Sequence, residues 1–325
     1  MKVQPPIERR PLDRVLIVGN PTAGARHRAD ELRQLQHCIS AQGLIAEVVT
    51  DVEALGPLAE ALEAAGRLRA IIAAGGDGTV AEVVNRTSPT TPIAVYPLGT
   101  ANLLAGYFGI RRDPQAMARL VSEGALVRLD AGRAGRRIFL LMVGCGFDAD
   151  IVDRLHRRRR GGHIRYWTWA RPILESIRSY RYPDLRVYCQ APDQPEIEFS
   201  HTARWAFAVN MPVYAGGLLV SPEARADDGL FDVCTFRGGS LWHALKYIGN
   251  VLLRRHRRLA DYRCLTATRM RIEADEPVSY QLDGDPGGLL PVEIEMLPGR
   301  LMLLVPAARA RALGLTPVAS ISLGV

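Results

Sequence analysis

The chain's patterning predicts an α/β domain built on a parallel sheet, followed by an all-β sandwich or barrel. Up to about residue 130, short apolar runs alternate with helix-length stretches, and the runs end in glycine, asparagine or proline. Strands that alternate with helices of this length need crossover connections, which make the sheet parallel and cover both its faces. Beyond that point β-rich runs recur closely, as antiparallel strands do.

Residues 14–19 (RVLIVG) form a buried strand entering a loop. Residues 28–42 have helical spacing at Leu32, Leu35 and Ile39 and stop at Gly43. The next strand is 45–49, then an alanine-rich helix over 53–65 that ends at Gly66. Residues 69–74 are a third strand running into Gly75-Gly76-Asp77-Gly78. A helix follows, then the strand 93–96 and the loop Pro97-Leu98-Gly99-Thr100. We place a domain boundary near Gly132, giving 1–132 and 133–306. In the second domain strands are expected at 138–143, 185–189, 205–209, 230–236, 269–274, 278–282, 292–296 and 301–305. Helical insertions are expected over 164–180 and 240–254, and residues 307–325 as a tail packing back as a short helix.

A length of 325 residues suffices for two domains with their own cores. A 48% hydrophobic and 23% charged composition excludes wholesale disorder. The net charge of +7 favours anionic partners. Lys2 and Lys246 are the only lysines, so no Walker-type Gly-Lys loop exists. Cys38, Cys145, Cys189, Cys234 and Cys264 are scattered without a C-x-x-C, which fits a reducing cytosol rather than a disulfide framework or zinc site. Residues 1–14 lack the apolar region of a signal peptide. No apolar run approaches the ~18–20 residues that span a bilayer. The seven histidines show no metal-ligand spacing.

Chemistry concentrates in loops that follow strands. Gly75-Gly76-Asp77-Gly78-Thr79, with Glu82 and Asn85 beyond, sits where a strand ends and a helix begins. Glycine lets phosphate oxygens approach the backbone N–H groups, and the helix N-terminus adds partial positive charge. Thr79 offers a hydroxyl, and Asp77 can hold a metal-bound water or a ribose hydroxyl. Asn20-Pro21-Thr22-Ala23-Gly24 and Pro97-Leu98-Gly99-Thr100-Ala101-Asn102 are loops of the same kind. In an open parallel sheet such loops converge on one crevice, so the three together point to a nucleotide.

In these motifs the chain resembles the diacylglycerol kinase catalytic-domain family, specifically soluble bacterial lipid kinases of the YegS/BmrU type. It is similar in outline to sphingosine and ceramide kinases, and more distantly to NAD kinases and phosphofructokinases. The resemblance runs from Val15 to Pro306. Its further landmarks are Gly144-Cys145-Gly146-Phe147-Asp148, Asn210 with Tyr214-Ala215-Gly216-Gly217, Ser221-Pro222-Glu223-Ala224, Asp227-Asp228-Gly229-Leu230-Phe231-Asp232 and Asp283-Gly284-Asp285. It implies an N-terminal α/β domain of the NAD kinase/phosphofructokinase kind and a C-terminal β-sandwich, with the active site in the cleft between them. It implies ATP held by Asn20, Thr50, the stretch 76–82 (Gly76, Asp77, Gly78, Thr79, Glu82) and Thr100. Gly75 and Asn102, from the loops themselves, complete the nucleotide set. It also implies Mg²⁺ on the Asp228 carboxylate and the carbonyls of Arg225 and Leu230, a set of oxygens that suits a hard cation. The family's general base lies in the motif that reads Asp283-Gly284-Asp285 here, with either acid as the base. A lipid hydroxyl is a poor nucleophile and needs a carboxylate to accept its proton as the γ-phosphoryl group transfers.

Two departures stand out. Asp285 replaces the usual Glu and is one methylene shorter. Leu103 follows Asn102 where bacterial diacylglycerol kinases carry Asp; the pattern resembles the sphingosine-kinase one and weakens transfer of diacylglycerol specificity.

A soluble enzyme acting on a bilayer lipid must dock. Arg154, Arg157, Arg158, Arg159 and Arg160, followed by Trp167, suit an anionic leaflet. A second basic cluster is 254–258. The expectation is an ATP- and Mg²⁺-dependent lipid kinase, cytoplasmic and peripheral at the inner membrane face. Its partners are ATP and a membrane lipid, not nucleic acid, and a homodimer stays open. The acceptor is left among diacylglycerol, phosphatidylglycerol and a sphingoid base. An NAD kinase-like enzyme with a soluble acceptor and a non-catalytic nucleotide- or lipid-binding regulator are the alternatives.

Overall fold

The computed structural model describes residues 12–19, 26–157, 175–176, 179–195, 197–214 and 218–320. The chain begins β1 (Arg14–Val18), α1 (Arg26–Ser40), β2 (Ile45–Val49), α2 (Leu55–Ala64), β3 (Leu68–Gly75), α3 (Asp77–Arg86) and β4 (Pro92–Pro97). It continues through α4 (Leu103–Tyr107), α5 (Pro114–Glu123), β5 (Ala125–Ala134), β6 (Arg137–Phe139), β7 (Met142–Cys145) and α6 (Phe147–Arg157). Then come β8 (Leu185–Gln190), β9 (Glu198–Ala203), β10 (Trp205–Val209), β11 (Phe231–Phe236), α7 (Leu241–Leu252), β12 (Tyr262–Ala267) and β13 (Arg269–Ala274). The last elements are β14 (Ser279–Leu282), β15 (Asp285–Leu289), β16 (Val292–Val305), α8 (Ala307–Ala312) and β17 (Pro317–Ser320). Two compact units result, Met1–Leu98 with Phe108–Val127 and Leu301–Val325, and Gly99–Tyr107 with Arg128–Arg300.

The first unit is the expected α/β layer. Its strands run β2-β1-β3-β4, all parallel, and the end of β16 adds beside β4 with Leu303 opposite Ile93. Every residue of β3 is buried, as a strand covered on both faces requires. Arg69 on β3 is buried too, but it donates to the carbonyls of Val121 (3.0 Å) and Ser122 (2.6 Å) at the end of α5. At that helix's start, Asp113 accepts from the N–H groups of Gln115 and Ala116. The tail helix α8 is followed by β17, which pairs antiparallel with β5.

The second unit is an antiparallel sandwich. One layer runs β16-β13-β8-β9 and the other β12-β11-β10-β7-β14-β15. Val143, Ala206, Ala208, Phe231 and Val233 meet Leu185, Val187, Met270, Ile272 and Ile294 in the core between them. Period-two alternation sends Trp205, Phe207, Cys234 and Phe236 to the other face, where they pack with Phe147 from α6 and Ala244, Tyr247 and Val251 from α7. Strand β10 is therefore buried along its whole length.

Several elements differ from the sequence expectation. The run 138–143 is two strands, broken where Leu140 and Leu141 turn their N–H groups to Asp283. Residues 292–305 form one strand, because Gly299 takes a φ of +63° and passes its N–H to Asp130 at 2.7 Å instead of starting a turn. Strands β5, β9, β12, β15 and β17 and helices α4, α5 and α6 were not anticipated. Most of the insertion expected over 164–180 lies outside the described residues.

Candidate functional site

In the first unit, parallel register brings four strand ends to one edge: Val18 sits opposite Val49 and Ala73, and Gly75 opposite Pro97. Thr50, exposed, directly follows β2 at that edge. Gly76 caps α3 in extended conformation, so Asp77, Gly78 and Thr79 form the helix's first turn, with the Thr79 N–H donated to the Gly76 carbonyl at 2.9 Å. Gly75 is required sterically, since a Cβ there would lie 2.1 Å from the Thr79 hydroxyl oxygen. Leu98 donates its N–H to the Gly75 carbonyl (2.9 Å), and Arg28 donates to the Leu98 carbonyl (2.8 Å). Glu82 is already engaged: Arg86 holds it at 2.8 Å and also reaches Glu53 and the Val52 carbonyl, bracing α3 against the loop behind Thr50. Asn20 lies outside the described residues.

Thr100 and Asn102 fall in the second unit, Thr100 exposed. Asn102, at a φ of 49°, accepts from the Gly99 N–H (2.9 Å) and donates to the Gly99 carbonyl (2.8 Å). Its amide thus shapes the loop that precedes α4, whose first residue is Leu103.

The acidic motif separates into two environments. Asp283 and Gly284 are the central residues of a two-residue hairpin between β14 and β15, both with positive φ (51° and 90°), as a type I′ turn demands. The Asp283 carboxylate accepts three backbone N–H bonds, from Leu140 (2.7 Å), Leu141 (2.8 Å) and Met142 (2.9 Å). Asp285 opens β15, half-buried, and its carboxylate has no hydrogen-bond or ion-pair partner among the described residues.

The turn that would hold Mg²⁺ is braced from below. Buried Asp130 accepts from the Gly229 and Gly299 N–H groups, each at 2.7 Å, and donates its own N–H to the Ala226 carbonyl. Burial raises the Asp130 carboxyl's pKa, and the charges of Asp228 and Asp227 raise it further. The Arg225 guanidinium pairs with Asp227 (3.1 Å), while Asp228 accepts the Leu230 N–H (3.1 Å). One exposed carboxylate, two main-chain carbonyls and surplus negative charge beneath fit a hard cation. Among the described residues no cluster of three His, Cys, Asp or Glu side chains suits a metal.

The sequence reading missed a cavity on the outer face of the six-stranded sheet. It measures about 180 Å³ and is lined by apolar groups including Phe147, Ile151, Phe207, Leu218, Ile248 and Val251. Asp148, buried, is the one acid on its wall among the described residues. Its Oδ2 accepts from Gln281 (3.2 Å) and from the Tyr214 hydroxyl (3.3 Å), while Oδ1 has no hydrogen-bond partner among the described residues. Burial pushes its pKa up to about 6. Gln281 in turn accepts the Gly284 N–H (2.7 Å), linking the cavity wall to the hairpin that carries Asp285. The sequence offered one signal: Asp148 closes the Gly-Cys-Gly-Phe-Asp landmark after a fully buried strand.

Of the residues expected to dock on a membrane, Arg154 is tied to Asp150 (2.6 Å) and Arg157 to Asp153 (3.2 Å) along α6. Arg158, Arg159, Arg160 and Trp167 lie outside the described residues. Among the described residues no helix is long and apolar enough to cross a membrane.

Comparison with known proteins decides the family. The diacylglycerol kinase catalytic domain matches residues 14–134, and the YegS C-terminal NAD kinase beta sandwich-like domain matches 141–305, half of the chain. The chain belongs to the diacylglycerol kinase catalytic-domain family. A diacylglycerol kinase of Bacillus subtilis (strain 168) is 27% identical over 93% of this chain and 99% of its own. A YegS-like probable lipid kinase of Chromohalobacter salexigens is 27% identical over 74% of this chain and 77% of its own. The fold matches a crystal structure of a diacylglycerol kinase from Bacillus anthracis str. Sterne at a TM-score of 0.65 and 23% identity, covering 91% of this chain and 98% of that one. The family is thus one of lipid kinases, and its fold of an α/β layer with a β-sandwich is the one predicted from the sequence.

Proposed function

We propose that this kinase-family member transfers the γ-phosphoryl group of ATP directly, in line, to a hydroxyl of a membrane lipid, working peripherally at the inner membrane face. Phosphoryl transfer asks little covalent chemistry of the protein, which must position the groups and stabilise charge. The N-terminal end of α3, with its partial positive charge, and the hydroxyls of Thr79 and Thr50 bind the phosphates and orient the nucleotide. Asp285 accepts the proton from the lipid hydroxyl, because its carboxylate is not already engaged. Asp283 is a positioning residue that fixes the hairpin and so aims Asp285. Asp228, with the carbonyls of Arg225 and Leu230, would hold Mg²⁺, which supplies charge neutralisation at the phosphates.

The single observation that carries the lipid acceptor is the apolar cavity. A site for NAD or another soluble acceptor would be lined with polar groups, whereas this wall is hydrocarbon and aromatic apart from Asp148. The unpaired Asp148 oxygen offers an acceptor for a donor on the bound lipid. The test compares diacylglycerol and phosphatidylglycerol in mixed micelles with NAD as acceptors, for wild type and Asp285→Asn. Labelled phospholipid from wild type alone, with ATP binding retained in the variant, is expected. Labelled NAD, or full activity in Asp285→Asn, would overturn the reading.

A further inference from the structure

Helix α7 has a well-defined inner side. The Ser240 hydroxyl caps its start, accepting the His243 N–H, and Ala244, Tyr247 and Val251 are buried in the outer core of the sandwich unit. Its other side carries Trp242, Leu245, Gly249 and Leu252 at helical spacing, with Leu253 directly after. A surface helix normally places polar residues there. Here Trp242 is 78% exposed, Leu245 46%, Leu252 64% and Leu253 66%. One exposed leucine is ordinary, but a continuous stripe of four large apolar residues marks a contact surface.

Charge at the end of the helix selects the partner. Arg254, Arg255 and Arg258 are exposed and have no ion-pair partner among the described residues. The other local cations are spent internally, Lys246 on Asp261 and Arg257 on Glu223.

We propose that α7 lies flat on an anionic bilayer, with Trp242, Leu245, Leu252 and Leu253 seated at the headgroup boundary and Arg254, Arg255 and Arg258 against acidic headgroups. An apolar stripe beside clustered cations is the signature of an interfacial helix. With 12 residues it is too short to span. Nucleic acid would answer the arginines but not the leucines. A second copy would answer the leucines but set like charges against each other. The inner face of the same helix, through Tyr247, Ile248 and Val251, walls the apolar cavity, so the docked element also lines the acceptor pocket. The docking surface deepens the lipid-kinase reading and rests on it for the cavity's occupant.

The test is co-sedimentation of the full chain, without ATP, with vesicles of phosphatidylcholine alone or mixed with phosphatidylglycerol. Binding to the mixed vesicles, weakened by salt, is expected. Leu245→Glu/Leu252→Glu should lower the partition coefficient at least about tenfold. Arg254→Gln/Arg255→Gln/Arg258→Gln should lose the preference for phosphatidylglycerol, about fivefold per charge. Both variants change exposed side chains, and equal denaturation midpoints confirm that they fold. The inference is overturned if wild type ignores mixed vesicles, if the leucine variant binds like wild type, or if that variant turns a dimer into a monomer without lipid. Phosphorylation of detergent-dispersed lipid is scored separately. Its loss in wild type sinks the kinase reading, while vesicle binding still decides the docking surface.

Discussion

Replacing Asp148 by Asn isolates the energetic cost of a carboxyl group in the cavity wall. The substitution keeps shape and leaves an oxygen for Gln281 and Tyr214 to donate to. Burial raises the Asp148 pKa from the ordinary 3.8 to about 6. The folded state therefore holds a proton over the interval in which the unfolded chain has released it, and stability falls as pH rises from about 4 to about 6, then levels off. A shift of that size corresponds to about 3 kcal/mol between the two ends of the interval. Asn cannot ionise and escapes that loss. Urea denaturation at pH 8 should find Asp148→Asn more stable than wild type by up to about 3 kcal/mol, and the advantage should vanish near pH 4. The same variant should raise KM for the lipid and leave KM for ATP unchanged. An equal stability difference at both pH values would show that Asp148 is not in the apolar surroundings described, and the cavity argument would lose its polar anchor.

Asp283→Ala leaves the N–H groups of Leu140, Leu141 and Met142 without their acceptor and should cost about 3 kcal/mol or more. Asp285→Asn should leave the urea midpoint unchanged yet abolish transfer; equal destabilisation by both would erase the distinction drawn between the two acids. Gly75→Ala forces a Cβ into Thr79 and should destabilise by about 1–3 kcal/mol while weakening ATP binding measured by calorimetry. Arg86→Ala frees Glu82 and Glu53 on the surface, so stability should move by under about 1 kcal/mol while KM for ATP rises as the loop behind Thr50 loosens.

Local pattern made the first unit's edge legible. The run from Ala70 to Ala74 is apolar throughout, and the glycines that follow it fall at the strand-to-helix junction, so strand, turn and helix all had a signal in consecutive residues. In β16, Pro298-Gly299 looks like a turn, and only the distant acceptor Asp130 keeps the strand continuous. The roles of Asp283 and Asp285 could not be told apart from spacing, because the three N–H donors that occupy Asp283 come from more than 140 residues away. Glu82 entered the nucleotide set through the resemblance alone, and its spacing did not show that it pairs with Arg86, four residues on. The cavity around Asp148 was invisible for the same reason: Phe147, Phe207, Leu218 and Ile248 become neighbours only through the sandwich topology.

The most direct measurement incubates the full chain with γ-labelled ATP, Mg²⁺ and a whole bacterial lipid extract, then identifies the labelled product by chromatography and mass spectrometry. A phosphorylated lipid formed by wild type and missing with Asp285→Asn is the predicted result. Label found only in a water-soluble product, or a phospholipid formed equally by the variant, would contradict the account.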